Sequence, residues 1–345
     1  MTVLSRLLGA ALRTYNKVPL PTSTSHFRAQ VRGFKRAKLA KDSSVTITPK
    51  VEFETPNIRR MGHSLMKCSI FAAAFCTTTY TGAVIWEYER ARNRLKNPFQ
   101  AFTKFNWNAM EGWRNKEGEL RQTLNKWWND LSDGQRVFWP IFFLNAAVYA
   151  LWQVPALKLA MFRYFAFSPA AHAVCLPMIL STFSHYNLFH LGANMYVLHS
   201  FSTPICSKLG MEQFLGLYLC SGVLSSLAGA AFKVLIRSSV PSIGASGAIM
   251  GMLGYFCSKY PDSRLGIIFI PNFNFSAEQG LMGIMCLDTT GLILRWRLFD
   301  HAAHLSGAIS GIMYAKYGQQ LWEKRRPISH KWHELRETFT PTKSR

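Results

Sequence analysis

The sequence predicts an all-α protein, a polytopic membrane helical bundle with a six-helix core and one extra transmembrane helix before it. Three observations carry this expectation. Segments of about 20 mostly apolar residues, the length that crosses a bilayer's hydrocarbon core, recur along the chain. Mean hydropathy is only +0.03 although 49% of residues are hydrophobic, so apolar and charged residues are segregated into separate stretches. The formal charge of +22 falls mostly in an N-terminal arm, one connector and the tail. A nucleic-acid-binding domain would instead cluster its bases with aromatics on a folded face, so no nucleic acid is expected as a partner.

In chain order, residues 1–41 carry nine Lys or Arg, and no acid precedes Asp42. Leu4, Leu7, Leu8 and Leu12 with Arg6 and Arg13 between them allow a short amphipathic helix, the profile of a mitochondrial presequence. A basic segment, 42–65, leads to the extra transmembrane helix at 66–86. The connector 87–136 holds ten basic and seven acidic residues with tryptophans at 107, 113, 127 and 128, and reads as aqueous or interfacial and partly helical. Asp133-Gly134 reads as a turn. The core, 137–318, opens with a span at 137–157. Lys158, Arg163, Pro169 and Pro177 then break 158–183 into an irregular segment lying in the interface. Further spans are expected at 186–206, 212–236, 246–260, 275–294 and 301–318, followed by a basic tail, 319–345. Seven cysteines lie in or beside apolar segments without C-x-x-C or metal-ligand spacing, and read as buried small hydrophobes. No metal or cofactor is called for. No internal repeat supports a transporter built on inverted repeats.

Polar groups at membrane depth mark function by default. Ser246 lies in Gly244-Ala245-Ser246-Gly247, where a loop becomes an apolar helix. The flanking glycines let the backbone turn sharply, and a residue opening a helix has an amide without an intrahelical partner, free to bond a developing oxyanion. Ala248 stands where the soluble hydrolase elbow G-x-S-x-G has its second glycine, which argues against that fold. Alone, such a serine equally fits a helix cap or a small-residue packing site. His304 changes the balance. With Gly307 and Gly311 it forms one helical stripe, and Gly247, Gly251 and Gly254 form another, so the two backbones can approach closely and bring imidazole to serine. Asp300 reads chiefly as an N-cap, with contact to His304 an alternative, and His301 stays a weaker candidate base. His190 and Asn194 sit at i and i+4 on one face of another span, placed to donate to a common oxygen. A metal site of His185, His190, His301 and His304 is a competing reading that leaves Ser246 without a role.

Together these residues resemble the rhomboid family of intramembrane serine proteases. The likeness runs over roughly 135–318 and rests on H-x-x-x-N at 190–194, G-x-S-G at 244–247 and H-L-x-G-x-x-x-G at 304–311. The extra span, the presequence and the form Phe299-Asp300-His301-Ala302-Ala303-His304-Leu305 look like the family's mitochondrial branch. The resemblance implies that Ser246 and His304 form a catalytic dyad without a third acid. It also implies that His190 and Asn194 help hold the oxyanion and that His185 is structural. Where the family often has Trp-Arg in the loop after the first core span, this chain has Phe162-Arg163. The implied activity is hydrolysis of the transmembrane anchors of single-span proteins in the mitochondrial inner membrane. The implied partners are those substrates and the lipid bilayer, and the implied place is multi-pass in that membrane. The alternative is a catalytically silent member that binds or retains membrane clients; a channel or transporter is a third class. With the N-terminus in the matrix, seven spans put the tail in the intermembrane space and the dyad nearer the matrix.

Overall fold

The computed structural model describes residues 57–108, 119–185, 187–267, 270–296 and 299–339. The presequence at 1–41 and most of the segment 42–65 lie outside these residues. The first helix, α1, runs over Ile58–Asn108, so the extra span at 66–86 is the middle of a single 51-residue helix that extends far into the expected connector. The stretch Ile58–Leu95 is long and apolar enough to cross a membrane. Helix α2 (Glu119–Asp130) precedes α3 (Asp133–Trp152).

Asp133-Gly134 is the first turn of α3 and not a separate turn. Ser132 accepts from the Gln135 amide at 3.3 Å, and the Gln135 side chain accepts from the Ser132 amide at 2.9 Å, which makes a capping box. Gly134 is small because the backbone of Thr203 lies where its Cβ would be. The helix stops at Trp152 because Pro155 begins a 3-10 turn, and the backbone before proline is disfavoured for helix. The chain then bends by 95° into α4 (Lys158–Tyr164), followed by α5 (Cys175–Leu180) and a second 3-10 turn, Ser181–Phe183. This is the irregular segment expected at 158–183.

Helix α6 covers Leu188–Leu235 but is broken at Gly210, whose φ of 81° is open to glycine and costly to other residues. It is therefore two helices, 188–209 and 211–235. Helix α7 (Ser246–Lys259) has 14 residues and is buried on nearly every side, as a helix apolar all round should be. An antiparallel hairpin, β1 (Arg264–Ile267) with β2 (Ile270–Ser276), joins it to α8 (Ala277–Ile293). No strand is expected here from the sequence; among the described residues this hairpin is the one sheet. Helix α9 (His301–Glu323) completes the core. The basic tail holds α10 (Arg326–Phe339).

The core sits where α6, α7 and α9 meet. A Cβ on Gly307 would overlap the carbonyl oxygen of Gly247, one on Gly311 would overlap that of Gly251, and one on Gly254 would overlap that of Ala308. Gly247 and Gly251 also face Ser225 and Ser221 of α6, so the α7 stripe serves two neighbours and not α9 alone. Ser310 donates to Ser221 at 2.8 Å and Ser306 to the Leu224 carbonyl at 3.3 Å. Lipid offers no hydrophobic drive between helices, so this close packing of small residues and hydrogen bonds carries the association.

Helix α1 lies along the bundle from end to end. Near its start Cys68 and Ala72 are buried against Phe167, Val174, Met178 and Val223. Near residues 80–90 it meets the other end of the core. Tyr80 donates to the Leu321 carbonyl at 2.8 Å, Arg90 pairs with Glu212 at 2.7 Å just past the Gly210 break, and Arg325 pairs with Glu87 at 2.6 Å. Helix α10 adds contacts of Arg336 and Trp332 with Glu89.

A Gly311→Ala substitution should cost about 1–3 kcal/mol, because the added methyl meets backbone that cannot yield. Gly283→Ala, where nothing lies within 4 Å, should be neutral or stabilising by up to about 1 kcal/mol. Thermal unfolding of the two variants in detergent checks this, and equal midpoints would refute the packing account.

Candidate active site

Ser246 opens α7, with Ala245 at the N-cap and no side-chain cap, so its amide belongs to the unpaired donors of a helix start. The loop before it is held from two sides. Ser242 and Phe167 exchange main-chain hydrogen bonds at 2.7 and 2.9 Å, and the Gly244 amide donates to the Ser181 carbonyl at 2.9 Å. Gly244 has φ 132°, a conformation that side-chain-bearing residues resist, and the His190 Cε1 atom lies 2.8 Å from where a Cβ would sit. The turn that presents Ser246 thus requires glycine twice over, for conformation and for space.

The two residues separated by 58 positions are brought into contact. His304 Nε2 lies 2.8 Å from Ser246 Oγ, hydrogen-bond distance for a base and the proton it takes. Both side chains are half-buried, with His304 16% exposed, so the pair is shielded yet reachable.

The expectation of a dyad without a third acid is not what the geometry gives. Asp288 of α8, buried, places Oδ1 3.3 Å from His304 Nδ1 and 2.7 Å from His301 Nδ1. The carboxylate therefore faces the nitrogen of His304 opposite the one on Ser246. With the ring proton on Nδ1, that contact leaves Nε2 to accept from Ser246 Oγ. His301, the weaker candidate base, is buried beside Asp288 and packed over Gly291. Asp300 caps α9 by accepting from the Ala303 amide at 3.3 Å, as expected of an N-cap. Asp288 left a signal in the sequence: apart from Glu278 in the first turn, it is the one charged residue of α8, and an acid at membrane depth is costly without a partner. What the sequence lacked was the rotation of α8 about α9, which spacing within either helix does not encode.

On the other side of the serine, the His190 ring lies against the Gly244 turn. Asn187 caps this helix by accepting from the His190 amide at 2.7 Å. The Asn194 side chain, expected to point with His190 toward a common oxygen, is hydrogen-bonded to buried His185, with Nδ2 3.1 Å from His185 Nε2. His185 also meets the His190 ring edge to face at 5.0 Å, so it braces both candidate oxyanion donors. Trp152 donates to Ser184 at 2.6 Å and meets Phe162 at right angles, 5.0 Å between centroids. Phe162 thereby fastens the loop through an aromatic edge contact. Among the described residues no group of three or more His, Cys, Asp or Glu is arranged to hold a metal ion.

A rhomboid domain model matches residues 172–320, which include Ser246, His304, Asp288, His190 and Asn194. The mitochondrial presenilin-associated rhomboid-like protein of Rattus norvegicus is 48% identical over 275 residues, covering 79% of this chain and 72% of that protein. The chain belongs to the rhomboid family. The Homo sapiens protein of the same name is 47% identical over the same length, which puts this rhomboid in the presenilin-associated rhomboid-like branch. The mitochondrial rhomboid protein 1 of Saccharomyces cerevisiae is 34% identical over 185 residues, 53% of each chain. The rhomboid match begins after α1 to α4, so the extra helix lies outside the matched domain.

If the Gly244 turn presents the serine, Gly244→Ala should slow fluorophosphonate labelling of Ser246 at least about 10-fold through misplacement of Oγ. Gel-based labelling against time measures it; a wild-type rate would show that the turn is not what sets the serine.

Proposed function

We propose that this chain is an intramembrane serine protease that cuts the transmembrane anchors of single-span proteins of the mitochondrial inner membrane. The observation that carries the reading is the 2.8 Å contact of His304 Nε2 with Ser246 Oγ. In this scheme Ser246 Oγ attacks the scissile carbonyl while His304 takes its proton, and the protonated ring then gives that proton to the leaving amine. Asp288 holds Nδ1–H throughout and favours the imidazolium by its charge. The Ser246 amide is the first donor to the oxyanion, and His190 and Asn194 are the others. In a second round water attacks the acyl-enzyme with His304 as base, releasing the second fragment and restoring Ser246. A substrate helix must unwind before its carbonyl can reach the serine, so Gly, Ser or Pro near the cut favours cleavage.

The mitochondrial assignment is supported by the basic, acid-free residues 1–41 and by the printed names of the relatives. One observation favours a silent, client-retaining rhomboid instead: the Asn194 amide is taken up by His185.

In proteoliposomes with a single-span substrate, Ser246→Ala and His304→Ala should abolish cleavage, while Asp288→Asn should lower it about 100-fold by loosening the base. Cleavage surviving in purified Ser246→Ala would end the protease reading. A folded wild type that neither cleaves nor takes up a fluorophosphonate would favour the silent one.

A further inference from the structure

Behind the serine turn lies a second charged cluster that the dyad does not use. Lys233, in the last turn of α6, is 7% exposed, and its Nζ lies 2.9 Å from Asp300 Oδ2. The Ser242 hydroxyl joins them, in hydrogen-bond contact with both the ammonium and Asp300 Oδ2. Asp300 Oδ1 is engaged by the Ala303 amide, so the two carboxylate oxygens have separate duties, one to the helix and one to the cluster. The seat for the carboxylate is Gly229, one turn before Lys233 on the same face of α6. A Cβ there would stand 3.0 Å from Oδ2 and 3.2 Å from Oδ1.

The cluster joins three elements: the end of α6, the loop entering α7 and the start of α9. Its members stand in a fixed relation to the dyad, since Ser242 is four residues before Ser246 and Asp300 four residues before His304. The Ser242 main chain is pinned on its other side by Phe167. A buried ion pair is a poor source of net stability, because the desolvation of both charges offsets their attraction. Hydrogen bonds to charged groups are, however, short and directional, which suits them to fixing geometry.

We propose that Lys233 is a positioning residue which, through Asp300 and Ser242, fixes the serine loop against the histidine helix and so sets the approach of Ser246 to His304. The catalytic consequence rests on the protease reading; the clamping of the loop does not.

The test compares the full chain, wild type, Lys233→Met, Lys233→Arg and Ser242→Ala, in proteoliposomes. Amide hydrogen exchange should rise at 238–245 in Lys233→Met and Ser242→Ala while α7 stays protected. Cleavage of a single-span substrate should fall about 10- to 100-fold in kcat for Lys233→Met and a few-fold for Ser242→Ala, with KM within about two-fold and most activity recovered in Lys233→Arg. Exchange at 238–245 unchanged in both variants overturns the proposal. So does a wild-type kcat in folded Lys233→Met, or a loss that matches the unfolded fraction alone. If Lys233→Met does not fold, Ser242→Ala decides by the same two readouts. A wild type that does not cleave, or a Ser246→Ala that does, ends the protease reading instead, and the exchange arm still judges the clamp.

Discussion

The structure depends on how closely two helix backbones can approach inside a membrane. Gly307 and Gly311 of α9 rest on the carbonyls of Gly247 and Gly251, while those glycines of α7 take the serines of α6. Ser246 and His304 lie on separate helices, so their separation depends on the interhelical distance, and side chains larger than hydrogen along that seam would open it. A 14-residue helix enclosed by neighbours begins well inside the bundle and carries Ser246 at its buried end.

Much of this was legible in the chain. The spacing of apolar windows announced the helices, and the two glycine stripes announced which of them must touch. Ser246, His304, His190 and Asn194 were named by residue chemistry at helical intervals, and the structure brings Ser246, His304 and His190 together. What escaped was set by contacts between elements. Asp288 became a neighbour of His304 only through the rotation of α8, and Lys233 met Asp300 across 67 positions. Asp133-Gly134 carried a turn signal that the Ser132–Gln135 capping box overrode. The extent of α1 was hidden because charged residues after 87 suggest an exit from helix, whereas Glu87, Glu89 and Arg90 each find a partner on another element.

The site combines two kinds of support. On the histidine side a single carboxylate oxygen serves two imidazoles, so His301 and His304 are oriented by one buried acceptor. On the other side of Ser246, His185 holds Asn194 and packs on His190, so these groups are fixed by each other.

The ion pairs that link α1 to α10 and to the segment before it stand about one-third exposed, with the side chains of Arg325 at 31% and Glu87 at 36%, whereas the Lys233 side chain near the serine is 9% exposed. Mobile counter-ions therefore screen the pairs on the terminal helix more than the Lys233 pair. Concentrated electrolyte would unfasten the terminal helix from α1 while the serine end keeps its register. In this protein ionic strength acts as a lever on the attachment of the tail.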